Sequence, residues 1–422
     1  MTIIVSSLSL AASRDADNTL GGVVKDAAHP LASLSVVAIK NGSVVYARAF
    51  GDRFIDPTDA SKNKPATTET RYRIASLSKI VTAIGAMKLV EAGKLDLDKD
   101  VSDYLGWTLR NPNFPDTPIT TRMLLTHTSS LRDDNGYSFA PDVALKDVLT
   151  PGGSKYDAKS WAKQAPGFFQ YTNFNFGLIA TVIERVSKIR FDRYMSTVVL
   201  SPLGIGGGWN PASFSNSKLK TLATLYRKRD QDGKWNAKNP WLAQVDDYTV
   251  EPPTDLGAEY VIGTNGTVFS PQGGLRVSAL ELARVALMLM NDGVIDGQQF
   301  LEPQTVQAML SDQWKYDADQ KNGDNYFGLF RSWGLGVQRF TDSADKDGGD
   351  RIIEAGGLKW FGHLGEAYGL LSGLVFDPVT KNGMIYLIGG LGANPDEYVG
   401  KYSTFYRWEE LILNTLYENV IK

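Results

Sequence analysis

The sequence predicts an α/β (α+β) protein whose sheet is assembled from the two ends of the chain, with a mainly helical domain inserted between them. Three observations predict it: an alternating hairpin near the N-terminal end, strand-like runs that return only after Phe327, and a long stretch of helical periodicity in between. The sheet domain is expected from residues 14–92 and 325–422, and the helical domain from 93–324.

From Leu31 to Phe50, apolar and polar residues alternate around Asn41-Gly42, a pair that favours a tight turn between two strands. Ile80 to Val90 is apolar on nearly every face and stops at Gly93, the pattern of a buried helix with a glycine at its C-terminal end. Leu178 to Val186 and Leu280 to Met290 carry helical periodicity between Gly and Pro breakers. Trp209 to Ser270 has no clear period, yet Trp209, Phe214, Tyr226, Trp235, Trp241, Tyr248 and Tyr260 are scattered through it. Such a segment either walls a cleft or packs over the helices. Trp333 to Phe340, Leu370 to Phe376 and Met384 to Ile388 read as strands, and an amphipathic helix from about Ser403 closes the chain.

Composition narrows the function. The 422 residues are 43% hydrophobic and 22% charged with a net charge of −3, which gives neither a nucleic-acid footprint nor a polyanionic tail. With no cysteine and only His29, His127 and His363, disulfides, Cys-type zinc sites and the H-E-x-x-H pattern are excluded, so neither a metal nor another cofactor is expected. The run Met1 to Ala12 resembles the distal part of a secretory signal but lacks its positive start, which leaves both a periplasmic or secreted and a cytoplasmic location open. No other stretch is long and apolar enough for a membrane span.

Ser-x-x-Lys occurs six times, starting at Ser61, Ser76, Ser160, Ser215, Ser217 and Ser343, but only Ser76-Leu77-Ser78-Lys79 enters the most apolar helix. Residues three apart on a helix share a face, so Ser76 and Lys79 should touch. Burial and the positive end of the helix dipole both disfavour an ammonium there, which would let Lys79 act as a neutral amine. The Ser76 N–H at a helix start supplies half of an oxyanion hole. Alternatively, Ser76 is an ordinary N-cap. Pro166 to Asn173 places Tyr171 and Asn173 on the approach to the helix from about Phe176, where the tyrosine could equally be structural. Trp360 to Glu366 is a glycine-rich strand start in which His363 could be a buried, hydrogen-bonded histidine. There is no G-x-S-x-G elbow, which argues against an α/β-hydrolase triad.

Taken together and in this order, the three segments resemble the penicillin-recognising serine hydrolases, the superfamily of class C β-lactamases, D-alanyl-D-alanine carboxypeptidases, D-aminopeptidases and related esterases. Ser76-Leu77-Ser78-Lys79 is similar to the first motif and Tyr171-Thr172-Asn173 to the second. His363-Leu364-Gly365 stands where the family has Lys-Thr-Gly or His-x-Gly. Leu124 to Leu131 and Gly273 to Ser278 also look like the family, so the resemblance spans about residues 30–415. It implies a β-lactamase/transpeptidase-like fold with an antiparallel sheet flanked by helices. It also implies that Ser76 attacks a carbonyl while Lys79 and Tyr171 share the proton transfers. Asn173 would orient Lys79 or bind a substrate amide, and His363 would face a substrate carboxylate or assist Tyr171. Gly365 belongs to the substrate-binding strand, and the backbone N–H groups of Ser76 and Glu366 would hold the oxyanion. His127 and Gly273 to Leu275 read as structural. The absence of Lys-Thr-Gly and the presence of Leu364 in place of a hydroxyl residue point away from efficient β-lactam hydrolysis and towards an amide, ester or peptide substrate. The alternative is a non-catalytic penicillin-binding sensor, and neither nucleic acid nor a membrane span is expected as a partner.

Overall fold

The computed structural model describes residues 10–422 except 231, 250, 256–259 and 346–347. Most of the signal-like run therefore lies outside the described residues; its end opens helix α1 (Leu10–Val24).

The Asn41-Gly42 turn joins β1 (Ser33–Lys40) to β2 (Ser43–Phe54), with both turn residues at positive φ, as a tight hairpin of this hand requires. Three strands from the far end of the chain complete the frame: β3 (Phe361–Ala367), β4 (Leu370–Asp377) and β5 (Asn382–Ile388). The sheet has nine strands, ordered Trp314–Lys315, Ser332–Trp333, Gln338–Arg339, β3, β4, β5, β1, β2 and Lys64–Pro65. Every neighbouring pair is antiparallel, as the family resemblance implied. The first and last parts of the chain meet at β1 and β5, in the register Val36↔Tyr386. Trp314–Lys315 joins the sheet from within the stretch read as helical.

Alternation along the central strands builds two cores. Leu34, Val36, Ala38, Tyr386 and Ile388 face one side, packed with Ala16 and Leu20 of α1 and Trp408, Ile412 and Leu416 of the C-terminal helix. Val37, Ile39, Ile385 and Leu387 face the other side, with the internal helices. Period-2 burial on both faces gives a sheet with helical layers on each side.

Three internal helices matter for the site: α2 (Ser78–Glu91), α3 (Phe174–Ser187) and α4 (Ala279–Met290). Ser78 to Met87 is buried without a break, and Gly93 follows the helix at φ +65°. Ser278 and Glu281 close a reciprocal capping box on α4. The final helix, α5, runs from Arg407 to Leu416, four residues later than expected. The delay has a cause: the buried Glu410 carboxylate accepts hydrogen bonds from the N–H groups of Lys401, Tyr402 and Ser403, which ties that stretch into a loop. Trp333 to Phe340 is likewise not one strand. Gly334 donates to the Val337 carbonyl and Gly336 sits at φ +73°, folding the run into a hairpin that pairs Trp333 with Gln338.

In the irregular stretch 209–270, Trp209, Phe214, Tyr226 and Tyr260 are buried, whereas Trp235, Trp241 and Tyr248 are half-buried. Leu225–Arg227 and Leu242–Val245 form a small sheet with Gly390–Leu391. Tyr260 donates to the buried Glu184 on α3 at 2.6 Å. Packing thus accounts for the buried aromatics. Among the described residues no helix is long and apolar enough to cross a membrane.

Gly266 lies flat on α3: a Cβ there would meet the Thr181 nitrogen at 2.6 Å, the Ala180 Cβ at 2.7 Å and the Gly177 oxygen at 2.7 Å. Because the obstacles are mostly helix backbone, they cannot yield cheaply. Gly266→Ala is expected to destabilise the protein by about 2 kcal/mol or more, read as a lowered midpoint in thermal or urea unfolding.

Candidate active site

The site begins where Tyr72–Arg73 pairs with Arg276–Val277 and the Ile74 N–H donates to the Leu275 carbonyl at 2.9 Å. Ala75 then turns the chain at φ +48°, an uncommon conformation for a residue with a Cβ, and a short 3₁₀ turn, Ala75–Leu77, leads into α2. Ser76 sits in this turn, half-buried, and makes no N-cap hydrogen bond to the helix. The N-cap alternative is thereby set aside.

Lys79, one turn on, is fully buried. Its Nζ donates to Ser76 Oγ at 3.0 Å, Asn173 Oδ1 at 2.8 Å and the Gln272 carbonyl at 3.2 Å. Three acceptors match the three protons of an ammonium. Burial nevertheless pulls its pKa down to about 7, against the opposing pull of the Asp133 carboxylate. Near neutrality the lysine therefore alternates between an ammonium that donates to Ser76 and an amine that can accept the Ser76 proton.

Tyr171 reaches the same oxygen, its phenol sharing a hydrogen bond with Ser76. The Lys79 Nζ lies 4.8 Å from the centre of the Tyr171 ring. Burial raises the phenol's pKa well above its ordinary value, so the resting tyrosine keeps its proton. Asn173 is used at both ends, by Lys79 at Oδ1 and by Asp133 at Nδ2, 2.9 Å away, an arrangement that orients Lys79.

His363 and Glu366 both stand on β3. His363 is 1% exposed, its Nδ1–H directed at the Leu364 carbonyl and its Nε2 without a hydrogen-bond partner among the described residues. Burial, reinforced by the Lys79 charge, holds its pKa near 3. It is therefore a neutral wall behind Tyr171, ring centres 5.9 Å apart, and does not offer a cation to a substrate carboxylate. Glu366 turns its carboxylate away to accept from the Tyr406 hydroxyl at 3.1 Å, which leaves its backbone as the only part that belongs to β3's approach to Ser76. Gly365 is the point of closest approach: a Cβ there would lie 3.0 Å from the Ser76 nitrogen and 3.0 Å from the Ile74 oxygen. Only glycine lets strand and turn meet.

His127 belongs to the site more closely than a purely structural reading suggests. Its imidazole stacks on Tyr171 at 4.4 Å, and its Nδ1 accepts from the Thr172 N–H at 3.0 Å. The sequence also gave no sign of Asp133. This carboxylate accepts from the N–H groups of Asn173 (2.8 Å) and Phe174 (2.9 Å) and so caps α3 while fixing Asn173. A local N-cap pattern could not show it, since the capping side chain comes from forty residues upstream. The stretch from Ser270 to Leu275 is clasped to α2 by Thr82, which donates to the Pro271 carbonyl at 2.8 Å, and by Ser78, which accepts from the Leu275 N–H at 3.1 Å.

Comparison with known proteins decides the family. The model of the Beta-lactamase family matches residues 21–405. The chain belongs to the beta-lactamase family. Protein flp of Staphylococcus aureus (strain N315) is 28% identical over 176 residues, which are 40% of this chain and 33% of that protein. The chain thus matches about a third of the length of that curated relative. Among solved structures, the octameric penicillin-binding protein homologue from Pyrococcus abyssi superposes with a TM-score of 0.61 at 22% identity, covering 92% of this chain and 75% of that one. SurE with D-Leu gives 0.60 at 19% identity, covering 90% and 72%. These likenesses establish the β-lactamase/transpeptidase-like fold.

The Asp133 charge stabilises the Lys79 ammonium. Asp133→Asn keeps the cap's shape but removes that stabilisation, so the Lys79 pKa is expected to fall further below 7. The acid limb of a kcat/KM profile that requires neutral Lys79 then moves to lower pH, and a limb that moves to higher pH contradicts the assignment.

Proposed function

We propose that this member of the family is a serine hydrolase that passes through an acyl-enzyme on Ser76. One observation carries the reading: a fully buried lysine whose Nζ lies 3.0 Å from the Ser76 hydroxyl, with a pKa near 7. A purely binding pocket has no use for a proton acceptor placed there. In its neutral form Lys79 takes the Ser76 proton as Oγ forms a bond to the substrate carbonyl carbon. The Tyr171 phenol, protonated at rest, gives its proton to the departing nitrogen or oxygen as the scissile bond breaks, and the Lys79 ammonium restores it. Water then cleaves the acyl-serine by the reverse use of the same groups. The oxyanion is held by the N–H groups of Ser76 and Glu366, a reading supported by the contact of β3 with the Ala75–Leu77 turn.

The substrate class is an amide or ester: a D-amino-acid peptide or amide, a simple ester or a β-lactam-like ring. The neutral, buried His363 supports the amide and ester classes over substrates whose carboxylate must be paired at that motif.

Intact-mass spectrometry after exposure to a penicillin, a cephalosporin, a D-Ala-D-Ala peptide, a D-amino-acid amide and a short-chain ester tests this. An adduct on Ser76 with many turnovers per enzyme is expected for at least one, and Ser76→Ala should lower turnover at least about 10³-fold while the protein still folds and unfolds cooperatively. Undiminished activity in Ser76→Ala sinks the assignment, and stoichiometric labelling without turnover identifies a sensor.

A further inference from the structure

Strand β3 serves as a ruler across the site. His363, near its start, lies beside Tyr171; Gly365 touches the Ser76 nitrogen; Tyr368, just past its end, lies under Arg73 with the guanidinium carbon 4.9 Å from the ring centre. At about 3.3 Å per residue, His363 and Ala367 stand roughly 13 Å apart, with the nucleophile between the two ends. If Tyr171 protonates the leaving group, as proposed above, the leaving group occupies the His363 end. The part of the substrate retained on Ser76 then points towards Arg73.

Arg73 is built to receive something. Its Nε is anchored on the Gly273 carbonyl at 3.3 Å, and its face rests on Tyr368. Among the described residues its Nη1 and Nη2 have neither a hydrogen-bond nor an ion-pair partner. The acid nearest to hand is already taken: Asp246 binds Arg276 through two hydrogen bonds, 3.0 and 2.7 Å, and accepts from Tyr248 at 2.9 Å. Both guanidinium groups feel the Asp246 charge, but only Arg276 is bonded to it. Burial and the like charge of Arg276 both press on the Arg73 cation, as expected for a charge lacking a counterion of its own. Tyr137, 38% exposed, lies within electrostatic reach of Arg73, Tyr368 and Asp133.

We propose that Arg73, seated on Tyr368, is a specificity-determining residue that binds an anionic group, a carboxylate or its equivalent, on the acyl side of the scissile bond. A guanidinium fixed at Nε presents its two terminal nitrogens as a fork that matches a carboxylate. This inference rests on the serine-hydrolase reading.

Two p-nitrophenyl esters with the same leaving group separate them: p-nitrophenyl hydrogen adipate, with a free acyl-side carboxylate, and its terminal-amide counterpart. The acylation rate constant is read from the p-nitrophenolate burst and confirmed by the adduct on Ser76. The adipate is expected to acylate at least about 10-fold faster than the amide, with the preference falling at high salt. Arg73→Gln should erase the preference and Arg73→Lys restore part of it. No preference in the unmodified protein, or an Arg73→Gln variant slowed equally on both esters, overturns the proposal while leaving the hydrolase reading intact. Labelling of Ser76 by neither ester overturns the proposal, and labelling by no member of the wider panel overturns the hydrolase reading as well.

Discussion

The site depends on keeping one lysine out of water. Moving its pKa from 10.5 to about 7 corresponds to roughly 5 kcal/mol of differential stabilisation of the neutral form, the direct consequence of enclosing Lys79 in a helix that is buried without a break from Ser78 to Met87. The ammonium remains accessible only because three oxygens surround it, and each comes from a different part of the fold. Ser76 is brought by the turn ahead of α2. Asn173 stands at the start of α3 and is held by Asp133. The Gln272 carbonyl belongs to a segment strapped to α2 by Ser78 and Thr82. A shift in any one would leave a buried donor without its partner, which is costly in a low-dielectric interior. The lysine thus makes the positions of three distant segments interdependent.

The sheet provides the opposing surface. β3 can lie against the Ser76 turn only because residue 365 has no side chain, and its partner strand imposes the same demand nearby: a Cβ on Gly362 would fall 1.8 Å from the Leu374 carbonyl. Behind the sheet, Glu366 is tied to Tyr406, whose N–H donates to Glu409 on α5 at 2.9 Å. Tyr386 of β5 also donates to Glu409. The C-terminal helix therefore reaches the approach strand through a continuous chain of hydrogen bonds. This gives a physical reason for a sheet closed by the last part of the chain to carry a site whose serine comes from the first.

What the sequence could show was local. Period-2 alternation around Asn41-Gly42 and the unbroken apolar run after Ser76 are properties of neighbouring residues, and both elements form where those patterns lie. The three motif segments were legible because each combines unusual residue types within a few positions. Asp133 and the Gln272 carbonyl were not, since their partners lie tens to hundreds of residues away and a backbone oxygen leaves no trace in residue identity. Arg73 was overlooked for a related reason: one arginine before a motif is unremarkable until Asp246 is seen to be engaged by Arg276. The protonation state of His363 was hidden for another reason. A histidine at a binding motif suggests charge, but its ionisation depends on burial, which the motif does not encode.

Neutrality of the histidines sharpens the electrostatics of the whole site. His127 is fully buried, with its pKa held well below the ordinary histidine value, and His363 lies near 3. Lys79 contributes to both shifts, since a third cation in the same enclosure would be repelled by it. Near neutrality both imidazoles are uncharged, and the Tyr171 phenol stays protonated. Lys79 is then the group around Ser76 whose charge turns over near neutrality. The two histidines serve as walls: His127 stacks under the phenol and fixes its plane, and His363 closes the space behind it. On the proposed reading the proton transfers fall to Ser76, Lys79 and Tyr171, because both imidazoles are held neutral by the same burial that lets the lysine lose its proton near neutrality.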